Sequence, residues 1–151
     1  MKQQQATLLA AGLLAFMASS QQTQLGNVTF GAPICGGLFA DGTVIKVSDC
    51  TAAVNQLLDE NCISGSCSIP PSPGAGKSEI TQSAGTCTAI VAAEGANGAT
   101  FDEAPVQDAF PGFIAECVKP GSGEGERFPS LTSTNGLLEL VFATSGPTGG
   151  G

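Results

Sequence analysis

Histidine, tryptophan and tyrosine are absent from the 151 residues, and only 12% of the chain is charged. Without histidine there is no Ser-His or Cys-His nucleophile system. Without tryptophan or tyrosine the usual aromatic platforms of sugar-binding clefts are missing. Positive charge is scarce: five Lys and Arg stand against thirteen Asp and Glu, for a net charge of −8. That balance excludes an electrostatic grip on nucleic acid or anionic lipid. It suits solubility at mildly acidic pH or a cationic partner, although a solvated acidic surface with no partner accounts for it more simply. The length bounds the chain to one domain.

Long hydrophobic runs are also scarce. The apolar run over 6–18, preceded by Lys2, is too short to span a bilayer and has the form of a secretory signal peptide. Cleavage after Ser20 would place the small residues Ala18 and Ser20 where a signal peptidase reads them. A buried N-terminal helix is the competing reading, but the run has no polar face to turn outward. No later stretch could span a membrane, and the PTGGG tail lacks the apolar segment of a lipid-anchor signal. The expected organisation is a signal peptide over 1–20, a flexible arm over 21–34, a domain over 35–145 and a disordered tail over 146–151. The mature protein is expected to be soluble and extracellular.

What the chain does have is cysteine: Cys35, Cys50, Cys62, Cys67, Cys87 and Cys117. An even count in a small exported chain reads as three disulfides. Metal ligation is disfavoured by the lack of histidine and of a zinc-spaced Cys-x2-Cys pair, and no cofactor is expected. Asn27-Val28-Thr29 is an N-x-T glycosylation acceptor, a tripeptide that also arises by chance.

The β-branched run over 43–48 reads as a strand, followed by a helix from Cys50 with Ser48 or Asp49 at its N-cap. Ala53, Val54, Leu57 and Leu58 share one face of that helix, and Cys62 closes it. The span 63–77 reads as a loop. Strands are expected over 78–83 and 87–93, joined by a turn at 84–86. Val106, Ala109, Phe110, Phe113, Ile114 and Cys117 keep a helical period, with Asp102 as cap and Pro111 expected to kink or split the element. After a glycine-rich acidic loop over 120–129, the run 137–143 is the strongest strand candidate. The fold class is therefore α+β: a ferredoxin-like β-α-β-β-α-β sandwich, an antiparallel sheet with two helices on one face. That topology gathers Cys50, Cys87 and Cys117 at one end, with Cys35 reaching in from the arm. Cys62 and Cys67 form the natural local pair. Fifteen pairings exist in principle. Val44, Leu137 and Val141 would face away from the helices as an apolar patch, a surface for a homodimer or another partner that the arm could equally cover.

Gly76-Lys77-Ser78 invites a nucleotide reading. A phosphate loop needs an earlier glycine where Pro71 stands, a buried strand before it and a helix after it. Pro70, Pro71 and Pro73 also lack the amide hydrogens that cradle phosphate. An exposed loop is expected instead. The acidic pairs Asp59/Glu60, Asp102/Glu103 and Glu124/Glu126 leave carboxylate hydrolysis formally open. Capping and surface charge explain them more simply.

Asp49-Cys50-Thr51-Ala52 opening a helix, Gly85-Thr86-Cys87-Thr88-Ala89 opening a strand, and Phe113-Ile114-Ala115-Glu116-Cys117 ending a helix resemble small cysteine-rich secreted proteins of filamentous fungi. More narrowly, the chain resembles necrosis-inducing-factor effectors of plant-pathogenic fungi and killer toxins of smut fungi. The resemblance spans roughly 35–143. It implies a compact disulfide-bonded α/β sandwich and supplies no catalytic site. The expected function is that of a non-catalytic effector or killer-toxin-like protein binding an extracellular host or competitor target. The alternatives are a secreted acidic hydrolase using a carboxylate pair and a cell-wall or spore-surface component.

Overall fold

The computed structural model describes residues 21–36, 45–119 and 128–145. In chain order the elements are β1 (Thr23–Gly26), α1 (Val47–Asn61), β2 (Cys62–Ile63), β3 (Ser66–Ile69), β4 (Lys77–Ala84), β5 (Cys87–Glu94), β6 (Ala99–Asp102), α2 (Glu103–Cys117), β7 (Ser130–Thr132) and β8 (Leu138–Thr144). They form an α+β fold with two four-stranded sheets. One, in the order β4-β5-β8-β7, is wholly antiparallel. The other runs β1-β6-β3-β2, antiparallel except where β1 lies parallel to β6.

Alternation builds the core. Cys87, Ala89, Val91 and Ala93 of β5 and Leu138, Leu140 and Phe142 of β8 point inward and are buried. α1 packs across β4 and β5 and against α2, burying Cys50, Ala53, Val54, Leu57 and Leu58. From α2, Phe113 stacks on Phe142 with ring centroids 4.7 Å apart, and Phe110 meets the same ring tilted at 5.6 Å. Each such large side chain contributes about 1.5–3 kcal/mol by leaving water.

Several expectations are corrected. Val47 and Ser48 belong to α1 and not to a strand, Ile45 and Lys46 lie in no strand, and Val44 lies outside the described residues. Ile45 is buried without sheet pairing, so its β-branched neighbourhood reflects core contact and not a ladder. β5 pairs directly with β8, from Cys87↔Thr144 to Ala93↔Leu138. The ferredoxin-like order would interpose the first strand between them, so it is not the order observed. The segment expected as a flexible arm is docked: β1 pairs with β6, Val28 is buried, and Phe30 and Ile34 bridge Ser133 and Ser130. The loop over 63–77 contains β3 and part of β2, whose turn places Ser64 and Gly65 at φ +53° and +81°, the signs of a type I′ hairpin. β6 and β7 are further strands too short to show a period. α2 runs unbroken through Pro111, because Phe110 and Phe113 on either side are seated in the core and offset the lost backbone bond. Residues 120–127 and 146–151 lie outside the described residues.

The three disulfides are Cys35–Cys117, Cys50–Cys87 and Cys62–Cys67. Beside the second of them, Asp49 does not cap α1; Lys46 holds the N-cap position without a side-chain bond. The Asp49 carboxylate instead accepts from the backbone N–H of Thr86 at 2.8 Å and from its hydroxyl at 2.7 Å. Those two bonds hold its pKa below the ordinary 3.8. The turn comes close enough that Gly85, at φ +52°, has no room for a Cβ against that carboxylate.

Two predictions follow from this join. Removing the Cys50–Cys87 closure as a double alanine variant should cost about 4 kcal/mol, against about 2 kcal/mol for Cys62–Cys67, because the closed loops differ in length. Urea unfolding of the two variants checks the order. A folded pKa below the unfolded one means that Asp49 stabilises the fold above 3.8 and loses that contribution as pH falls through its depressed folded value. The deficit of Asp49→Ala relative to the parent chain should therefore be full at neutral pH and shrink in strong acid, as read by thermal unfolding across that range.

Candidate recognition surfaces

The Gly-Lys-Ser stretch is structural. Ser78 is wholly buried at the start of β4; its hydroxyl donates to the Gly95 carbonyl at 2.9 Å and accepts from the Gly98 N–H at 3.1 Å. It thereby ties β4 to the chain between β5 and β6. Lys77 reaches Glu94 at 3.2 Å and Glu139 at 3.0 Å, and these bonds raise its pKa above 10.5. A strand, and not a helix, follows the serine.

The acidic pairs lie on the surface. Asp59 and Glu60 are exposed in the last turn of α1. Asp102 holds the N-cap position of α2 but makes no capping bond through its side chain. Asp102, Glu103 and Asp108 line an open recess with Asn27, Gly65 and Gln107. Glu124 and Glu126 lie outside the described residues.

Of the expected partner patch, Leu137 is 40% exposed just before β8. Val141 is half-buried on the outer face of β8, opposite Ile90 of β5 and Ser130 of β7. Val44 lies outside the described residues. The structure thus places Val141 beside Ile90, while the Lys77–Glu139 ion pair crosses from β4 to β8 near Leu137 and Ala92.

A second surface was not anticipated. A groove of about 420 Å³ separates α1 from α2. Its floor is the buried Val54, Phe110 and Ile114. Its rim is Val47, Thr51 and Asn55 on α1 and Gln107, Pro111 and Ala115 on α2. Each trio is spaced i, i+4, i+8, so each is a straight stripe along one helix. None of the nine residues is charged, although both helices carry acids elsewhere. Two uncharged exposed stripes in an acidic chain are the signal that could have revealed the groove. Val47 is 49% exposed at its mouth.

With these surfaces in view, comparison gives no further guide: no family model, no curated protein and no solved structure matches the chain. Among the described residues no cluster of His, Cys, Asp or Glu could hold a metal ion. No helix among them is long and apolar enough to cross a membrane.

The structural role of Ser78 is testable. Ser78→Ala leaves a buried N–H and C=O without their partner and should destabilise the protein by about 1–3 kcal/mol. Lys77→Met, which breaks only exposed ion pairs, should cost less than about 1 kcal/mol, an effect that salt erases. Chemical denaturation at low and high ionic strength separates the two.

Proposed function

We propose that the chain is a secreted, disulfide-stabilised protein that acts by binding an extracellular host or competitor target and catalyses nothing. In kind it would be an effector or killer-toxin-like protein, as the resemblance to fungal effectors suggests. The observation that carries this reading is the division between interior and exterior. Ser78, Asp49, Lys77 and all six cysteines are committed to contacts within the fold. The exterior offers an uncharged groove between two cross-linked helices. Cys35–Cys117 and Cys50–Cys87 each fasten one of those helices, so the groove is held in shape before a partner arrives. Preorganisation of that kind lowers the ordering cost of binding. The outer sheet face around Leu137 and Val141 is the second candidate, for a target or for a second copy of the chain.

The acidic-hydrolase reading has one location in its favour, the open recess of Asp102, Glu103 and Asp108. Those carboxylates line an open recess at the start of one helix, whereas glycoside hydrolysis needs two carboxyl groups facing each other across a substrate cleft.

The test uses protein recovered from a eukaryotic secretory expression host, applied to plant apoplastic material and to fungal cell walls. Saturable binding without turnover of a polysaccharide panel is expected. Val47→Asp should weaken binding about tenfold while leaving stability intact, because an acid in the first turn suits the helix dipole. Loss with Leu137→Asp instead would move the surface to the sheet. Absence of binding to either material, or turnover abolished by Asp102→Asn, would overturn the reading.

A further inference from the structure

We propose that Asn27 carries an N-linked glycan and that the first sugars lie over the recess between the β2–β3 turn and the start of α2. The inference rests on the export reading above and adds a modification site to it.

The sequon is arranged for this. Chain direction changes at Gly26, which takes φ +59° at the end of β1. Val28 then drives inward and is 3% exposed, while Asn27 and Thr29 on either side are exposed. Asn27 stands at a bend just past β1, and with Val28 turned into the core both Asn27 and Thr29 are left facing solvent. The segment is pinned by the Thr29 and Thr134 hydroxyls at 2.7 Å and by the Thr134 N–H donating to the Thr29 carbonyl at 2.8 Å. Among the described residues the Asn27 side-chain amide has no partner. A glycan on Asn27 therefore displaces no bond and disturbs no core residue.

The recess beside it suits a sugar. Asn27 forms part of its lining. Ala104 and Pro105 offer an apolar shelf for a pyranose face, and Asp102, Gln107 and Asp108 offer acceptors for sugar hydroxyls. The base is fixed, since the Glu103 N–H donates to the Gly65 carbonyl at 3.0 Å.

The transfer is a substitution at the anomeric carbon of a lipid-pyrophosphate-linked oligosaccharide. The Asn27 Nδ2 forms the new C–N bond and loses one proton. The C–O bond to pyrophosphate breaks, and the lipid pyrophosphate leaves with the electron pair. The reaction acts on the chain during export, before Thr29 has met Thr134. In the finished protein the glycan shades Asp102, Glu103 and Asp108, so the recess is not a substrate cleft.

The experiment expresses the full chain and the variants Asn27→Gln, Thr29→Ala and Thr29→Ser in a eukaryotic secretory host. Intact mass is measured before and after amidase deglycosylation, with disulfides counted on the same material. The expected result is a glycan on the parent chain and on Thr29→Ser, absent from Asn27→Gln and Thr29→Ala, with aspartate left at position 27 after release. Carboxyl footprinting of Asp102 and Asp108 should rise several-fold on deglycosylation. A secreted, three-disulfide protein of unmodified mass overturns the site while leaving export intact. Unchanged footprinting overturns the placement over the recess. Retention inside the cell with the leader attached sinks the export reading and this inference with it.

Discussion

The fold depends on one join, where the first turn of α1 meets the β4–β5 turn. Cys50 is bonded to Cys87, and Asp49 accepts from Thr86 in the adjacent position. The need for such a join follows from α1 itself. It is a 15-residue helix with no side-chain N-cap and no basic residue in its last turn. A helix of that length is marginal alone. Its direction is set instead by a covalent anchor at one end and by Leu57 and Leu58 buried farther along. Once α1 lies fixed over β4 and β5, α2 has a wall to pack against, and Phe110 and Phe113 can close on Phe142.

The other two disulfides extend the same logic to segments with little core of their own. Cys35–Cys117 fastens the end of the N-terminal segment to the end of α2. That segment otherwise holds by one short strand, isolated bridges and scattered hydrogen bonds, with Val28 its one buried hydrophobic side chain among the described residues. Cys62–Cys67 crosses β2 and β3 directly opposite each other, locking a two-residue pairing that would not persist unaided. The two sheets are then joined without sulfur: Ser78, at the start of β4, receives the N–H of Gly98 immediately before β6. A small chain cannot bury enough surface to hold five short strands by packing alone. These two crosslinks fasten short or irregular segments to the core, in which Cys67 and Cys117 are themselves buried.

What was legible in the sequence was whatever carried a period. The helix faces of α1 and α2 are legible residue by residue and β5 and β8 as strands, because three or more turns or alternations repeat the signal. β1, β2, β3, β6 and β7, at two to four residues each, are too short to show a period, and their pairing is decided by chain segments far away. The run over 43–48 misled because β-branched residues mark burial as readily as pairing, and Ile45 is buried. Asp49 misled for a related reason. A carboxylate near a helix start satisfies whichever N–H groups come closest, and the β4–β5 turn comes closer than the helix's own. The Cys62–Cys67 pairing was legible from its spacing. The groove is not legible from apolar stripes, because its rim is marked only by missing charge.

The placement of charge bears on how such a protein could act. Among the described residues two charged side chains link elements and have displaced pKa values: Asp49 below 3.8 and Lys77 above 10.5. Asp49 contributes above its unfolded value and fails only as pH falls through the lower folded one. Lys77 contributes below its unfolded value and fails only as pH rises through the higher folded one. Neither changes protonation between those limits, and the chain has no histidine to titrate there. The groove rim has no ionisable group of its own. Recognition there would rest on shape and on apolar and amide contacts, so a pH dependence of binding through the groove would have to originate in the partner.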